Sequence, residues 1–399
     1  MAARVRRRKN KLVLWIVSVT LLLFLVPALT VLTIFLRYRA SEKAIGEQPP
    51  LIMENAWYYN GLTRKEQLLY EAILAGIETM STQTELLPYR YSEKEFTRVS
   101  EAIDRDCPKL FYLDVPAFVC CTDGFKSYAE LAYRFTSEEL AQRTMELEAI
   151  AAAASAYATA CESEFDKEVA LHDFLVGIAV YEGGTADTAA SAYDALVKKQ
   201  AGSLGYAKAL KLLFDRNGIE SIIVEGRAAG ERHHWNIVSI DGQHTHLDAS
   251  WNDGDIERVN VPFHGYFNLT DSEMSLDHTL SGGWKWPACT ENINYYTLKG
   301  LRTASISQLE TIAYDRIRDT MAKGESFLEV YPEFSTESDA IRLLMLDAVD
   351  RLRAEGVDLL RAIRVYECSQ TNAAMTIQIF YNSDKPALPS AGDSENSGS

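Results

Sequence analysis

Apolar and polar positions recur with different periods along the chain, and each period predicts a different element. The first pattern has no period: Leu12 to Leu36 run without a charge. About 20 apolar residues span a bilayer as a helix. The core of a cleaved signal peptide is shorter, ~7–15 residues, and ends at small residues. This block ends in Ile34-Phe35-Leu36, so it predicts an uncleaved transmembrane helix over 12–36. A juxtamembrane linker with Pro49-Pro50 follows over 37–58. Beyond Thr63, Leu68, Leu69, Ala72, Ile73 and Ile77 recur at helical spacing. Ser92 is placed to cap a helix with Phe96, Val99 and Ile103 on one face. Residues 110–113, 117–120 and 128–135 read as strands, completing an N-terminal α/β region over 59–135.

Ser137 is placed to cap a long helix through the alanine-rich 149–160 segment, and another helix runs from about Phe165 to Tyr181, ended by Gly183-Gly184. Tyr206, Leu210, Leu213 and Phe214 form one helix face, which Asn217-Gly218 stops. Ile222-Ile223-Val224 reads as a short buried strand. Residues 236–240 and 243–247 flank Asp241-Gly242, a strong hairpin signal. After Gly300 the pattern gives helix 305–322, strand 326–331, helix 337–355 and strands 359–367 and 374–381. That is a small αβαββ domain over 300–384, large enough to fold alone. Residues 385–399, rich in Ser, Gly, Pro and acid, read as a disordered tail. The fold class is α+β, with a core over 136–298 of helices packed on an antiparallel sheet. No internal repeat is present.

Charge sets the expected orientation. Arg4, Arg6, Arg7, Arg8, Lys9 and Lys11 precede the apolar block, and only Arg37, Arg39 and Lys43 follow closely. This predicts a basic cytoplasmic tail over 1–11, a single pass through the cell membrane and an extracellular main domain. The chain holds 40 basic and 56 acidic residues. Nine basic and one acidic lie up to Lys43, which leaves 31 against 55 for the rest. So acidic a surface disfavours nucleic acid and anionic lipid. The six cysteines (107, 120, 121, 161, 289, 368) include no CxxC pair, which argues against a thiolate zinc site. One or two disulfides are compatible with an extracellular setting.

Candidate chemistry lies between residues 201 and 253. Ser203 falls at the expected start of a helix, where free backbone N–H groups and the positive dipole end favour negative charge. A serine there serves either as an N-cap or as a nucleophile beside oxyanion donors. If Ile240 pairs with Gln243 across a two-residue turn, His233 lies opposite Ser250. Asp248 then becomes its diagonal neighbour on the same face, within reach of an imidazole–carboxylate bond. His234 points to the other face. His244 and His246 share a strand face, but His233 is four residues from the position opposite His246. At ~3.3 Å per residue that is too far for a joint metal site, so no metal and no other cofactor is expected. His172-Asp173 and Trp284-Lys285-Trp286-Pro287 read as structural.

Three ordered segments carry a resemblance. Ala201-Gly202-Ser203-Leu204-Gly205-Tyr206-Ala207 is followed by His233-His234-Trp235-Asn236-Ile237-Val238, then by Asp248-Ala249-Ser250-Trp251-Asn252-Asp253. Together they resemble the transglutaminase-like superfamily in its bacterial, papain-like branch. Ala192-Tyr193-Asp194-Ala195-Leu196-Val197 before them resembles the same pattern. So does Tyr266-Phe267-Asn268-Leu269-Thr270-Asp271-Ser272-Glu273-Met274, with Asp277-His278 after it. Residues 59–135 are similar to the region preceding this core in secreted or anchored clostridial-type relatives.

The resemblance implies a papain-like core with a triad of nucleophile, base and orienting acid at Ser203, His233 and Asp248. Tyr193, Tyr206, Trp235 and Trp251 would support or bind substrate, with Tyr193 also a candidate second oxyanion donor. The family's cysteine is Ser203 here. A cysteine site depends on a thiolate–imidazolium pair, whereas a serine must give its proton to the histidine during attack. The chain is therefore expected to be a catalytically impaired or binding form. The alternative is a serine-dependent amide hydrolase or acyltransferase, a peptidase or protein crosslinker. Its partners would be a protein, peptide or cell-wall component, and the membrane through the N-terminal helix.

Overall fold

A computed structural model describes residues 2–46, 50–51, 53–86, 90–123, 126–183, 189–256, 259–323, 325–333, 338–355, 360–367 and 375–381. The expected tail over 385–399 and Cys368 lie outside them. The chain forms two compact units: Met1–Asp104 with Leu113–Arg134, and Arg105–Tyr112 with Phe135–Ser399.

In the first unit the apolar block lies in the helix Ala2–Gly46. Its Val17–Arg37 stretch has a mean hydropathy of 2.6 and buries nothing, so it is long and apolar enough to cross a membrane. The helix Arg64–Glu78 starts at a capping box of Thr63 and Glu66. Ser92 and Glu95 make the same reciprocal bonds before Glu93–Asp106. Gln83–Glu85, Lys126–Glu130 and Val119–Asp123 form an antiparallel sheet with Lys126–Glu130 in the middle. The strand expected at 110–113 is a turn closed by Leu110 N–H to Cys107 O, after Pro108. Only the Leu113–Tyr133 bridge remains of its pairing.

The second unit is α+β. Thr136 caps the long helix Ser137–Thr159 in place of Ser137, because only a cap at 136 puts Glu139 at the position that bonds back. The next helix, Glu164–Ile178, ends earlier than its apolar pattern suggests. Val180–Tyr181 instead pairs in parallel with Gln200–Ala201, immediately before Ser203. The main sheet runs Phe267–Leu269, Gln243–Leu247, Glu231–Ile240, Glu220–Ala228, His278–Leu280, all antiparallel. Ile240 pairs with Gln243 as expected, and Asp241 and Gly242 both have positive φ, as the tight primed turn requires. The helix Ser203–Arg216 buries Leu210, Leu213 and Phe214 with Val238, Ile240, Leu247 and Phe267.

The C-terminal residues give Ile306–Ala322, Phe327–Pro332, Ser338–Ala354, Leu360–Glu367 and Met375–Tyr381, in the expected order. A short strand, Arg302–Thr303, joins their sheet in parallel with Phe327–Pro332. They bury an apolar cluster of their own that includes Leu309, Val330, Met345 and Ile377. Cys107, Cys120, Cys121, Cys161 and Cys289 form no disulfide among the described residues.

Candidate functional site

Ser203 is the first residue of its helix, and the cap position belongs to Gly202. The serine is therefore not spent on capping. It sits in the first turn, where four backbone N–H groups have no intrahelical partner; that of Gly202 goes to Ala189 O, which leaves three. The turn can approach the preceding strand because residue 205 is glycine: a Cβ there would lie 2.7 Å from Ala201 Cβ and 2.9 Å from Ala189 O. Ser203 is almost fully buried, and its Oγ accepts a hydrogen bond from the His234 backbone N–H at 3.3 Å. No hydrogen bond joins Ser203 to the His233 ring among the described residues.

His233 and Asp248 do meet. His233 Nε2 lies 2.6 Å from Asp248 Oδ2, with both side chains buried. The route differs from simple strand pairing. The strand ends at Leu247, so His233 has no ladder partner beyond it. Asp248 instead heads a turn and accepts at Oδ1 from Ser250 N–H, Ser250 Oγ and Trp251 N–H, at 3.0, 2.7 and 3.2 Å. Ser250 Oγ also lies 3.3 Å from His233 Nε2. Burial alone would push the Asp248 carboxyl upward. The His233 and His278 rings outweigh it and hold the group well below the usual carboxylate range.

His278, which the sequence placed only in the segment following the motifs, was given no role there. Its Nε2 is 3.2 Å from Asp248 Oδ2, and its Nδ1 is 2.5 Å from Asp277 Oδ1. It opens the edge strand His278–Leu280, and no local pattern announces that this strand pairs with Glu220–Ala228. The cue is the invisible partner, Gly226. A Cβ there would meet Thr279 O at 2.0 Å and the Trp235 ring at 2.6 Å.

The supporting aromatics are placed as follows. Trp235 is buried and donates Nε1–H to His246 Nδ1 at 3.0 Å. Its ring centroid lies 5.1 Å from that of His278. Trp251 lies edge-on to His278 at 4.6 Å and tilted against His233 at 5.5 Å. The Tyr206 hydroxyl donates to Asp253 Oδ2 at 2.7 Å, the atom that also accepts Tyr181 N–H. Tyr193 takes a different role: its hydroxyl bonds Glu146 and Arg143, and its ring stacks on Phe111. Tyr181 is a second residue the sequence reading missed. Its ring lies 6.4 Å from His233, and burial together with Asp248 and Glu231 pushes its hydroxyl up to about 12.

By distance, His233, Asp248 and His278 could hold a cation, as could His172, Asp173 and His264, and His246, Asp271 and Cys289. Proton positions favour hydrogen bonds in each. An indole can only donate, so His246 Nδ1 accepts from Trp235 and its proton is on Nε2, which donates to Asp271. Burial keeps the Cys289 thiol up near about 12. His264 faces Glu329 through Nδ1 and Asp173 through Nε2, and His278 faces Asp277 and Asp248 likewise. Rings whose two nitrogens both face carboxylates are better placed to donate hydrogen bonds than to offer a lone pair to a cation.

No family profile and no curated protein matches the chain. Among solved structures, a TGase is similar at 12% identity and a TM-score of 0.26, over 41% of this chain and 49% of its own. A candidate cysteine protease from Cytophaga hutchinsonii gives 11% and 0.24, over 44% and 78%. A candidate protease from Parabacteroides distasonis gives 13% and 0.23, over 34% and 37%. The chain thus spans about half the length of the first of these.

Proposed function

We propose that this chain is a membrane-anchored, outward-facing transglutaminase-like protein, impaired as a catalyst, that binds amide groups of a protein, peptide or cell-wall component beside Ser203. One observation carries the reading: the Ser203 hydroxyl bonds the His234 backbone and not the His233 ring. A hydroxyl needs its proton taken as it attacks, and this one has no base on it. The intact His233–Asp248 pair is accounted for without catalysis. Asp248 holds the turn at Ser250 and Trp251 as well as two imidazoles, so losing it would unmake the local fold. The three free N–H groups at the helix start suit a ligand carbonyl.

A second reading has its own support. Ser203 is at the first helical position and free of capping, as a nucleophile beside oxyanion donors would be. Ser203 would then attack an amide carbonyl while His233 takes the proton and later returns it to the leaving amine. Water or an amine would release the acyl group.

Turnover of an amide substrate panel separates the readings. The full chain and its Ser203→Ala and Ser203→Cys variants are compared, with a thiol-directed electrophile on the last. The impaired reading expects no turnover from the natural chain. Turnover that vanishes in Ser203→Ala establishes the serine-dependent enzyme instead.

A further inference from the structure

Tyr181 brings to the site a hydroxyl that the fold does not use. Tyr206 donates its own to Asp253, and Tyr266 donates to Asp277. The Tyr181 hydroxyl bonds none of the described residues. The side chain is half-buried, and its ring stands edge-on to His233 with the centroids 6.4 Å apart. We infer that Tyr181 is a ligand-binding residue: its hydroxyl donates to the amide carbonyl that docks on the first turn of the helix Ser203–Arg216.

The backbone of Tyr181 is pinned. Its N–H donates to Asp253 Oδ2 at 2.6 Å, and it pairs in parallel with Ala201, two residues before Ser203. Glu182 N–H then bonds Ala201 O at 3.0 Å. The Tyr206 ring lies near a right angle to the Tyr181 ring at 6.1 Å. The phenol is thus fixed beside the Ser203 turn before anything binds, and binding costs little further ordering. A phenol can donate or accept. Burial, with Asp248 and Glu231 adding to it, pushes this hydroxyl up to about 12, so it keeps its proton and donates across the physiological range. An amide carbonyl offers two lone pairs. One suits a free N–H of the first helical turn, and the other is left for Tyr181. A second uncommitted group faces the same space: His233 is almost fully buried, yet its Nδ1 bonds none of the described residues. Trp251, 5.5 Å from the His233 ring, adds an aromatic surface. Together these are polar groups whose bonding a ligand completes.

This deepens the amide-binding reading and rests on it, and the two fail differently. The full chain, solubilised in detergent, is titrated by NMR with N-acetylglutamine methylamide, which carries both side-chain and backbone amides. Tyr181→Phe keeps the ring and removes only the hydroxyl. The Kd of the probe is expected to rise about fivefold in this variant, the worth of one neutral hydrogen bond. In the natural chain labelled with 13Cζ-tyrosine, the Tyr181 resonance is expected to move as the probe saturates the site. It is identified among the 20 tyrosines by its loss in Tyr181→Phe. An unchanged Kd in the folded variant overturns the inference and leaves the amide-binding reading standing. A variant that fails to fold also overturns it, because the hydroxyl would then be structural. No binding of the probe by the natural chain overturns both.

Discussion

Two buried histidine–carboxylate networks lie in the same unit, and they differ in what they leave unused. Around His264 every ring nitrogen is committed. His264 bonds Glu329 and Asp173, while His172 bonds Asp173 and Asn252. Tyr295 stacks on the His264 ring at 3.6 Å. Around Asp248, His278 is committed in the same way. His233 gives only Nε2 to its partners, and its Nδ1 bonds none of the described residues. The first network ties the helix Glu164–Ile178 to the strand Phe327–Pro332. The second leaves one imidazole nitrogen and one serine hydroxyl near the start of a helix. A strongly shifted histidine thus marks structure as readily as chemistry; the uncommitted nitrogen is the better sign of a site.

The largest effect should come from breaking the closed network. His264→Ala takes the shared ring away from the buried Glu329 carboxylate and the half-buried Asp173 carboxylate at once, and removing one partner of such a cluster costs ~3–5 kcal/mol. Denaturant unfolding measures it. The His233→Ala cost should be smaller, because His278 and the turn N–H groups still satisfy Asp248. A reversed order would dissolve the contrast. Gly226→Ala comes next, at ~1–3 kcal/mol for overpacking, since Thr279 O is backbone and cannot step aside. The Trp235 indole should move with it, seen as a shift in fluorescence.

The closed network also predicts a pH signature. Against burial, Glu329 and Asp173 raise the His264 ring to about 10 from 6.5, so it binds its proton more tightly folded than unfolded. Its stabilising contribution is complete below about pH 6.5 and fades as pH climbs toward 10. Asp173 is held well below the usual range, so its contribution is present above about pH 4 and is lost in acid. Unfolding free energy followed from pH 6 to 10 should fall, and the fall should be shallower in His264→Gln. The smallest effect belongs to Ser203→Ala, about 1 kcal/mol, because the hydroxyl gives up a single 3.3 Å bond.

What the sequence made legible was local. Asp241-Gly242 set the hairpin and its register, while the contact of His233 with Asp248 is made by the turn after Leu247, and the C-terminal helices and strands fell within a few residues of their apolar patterns. What it hid depended on distant pairing. Tyr181 reads as the end of a helix until Gln200–Ala201 claims it for a strand. His278 reaches Asp248 only because a short edge strand crosses beside Gly226, thirty residues from its carboxylate partner. The Tyr193 hydroxyl, expected near the nucleophile, is drawn off by Glu146 and Arg143 on the long helix.

The central claim is that the Ser203 hydroxyl has no working base. Labelling of the full chain with a fluorophosphonate, followed by peptide mass spectrometry, reads this without knowledge of the substrate. The account predicts no adduct at Ser203. A stoichiometric adduct at Ser203 that is lost in His233→Ala would contradict it.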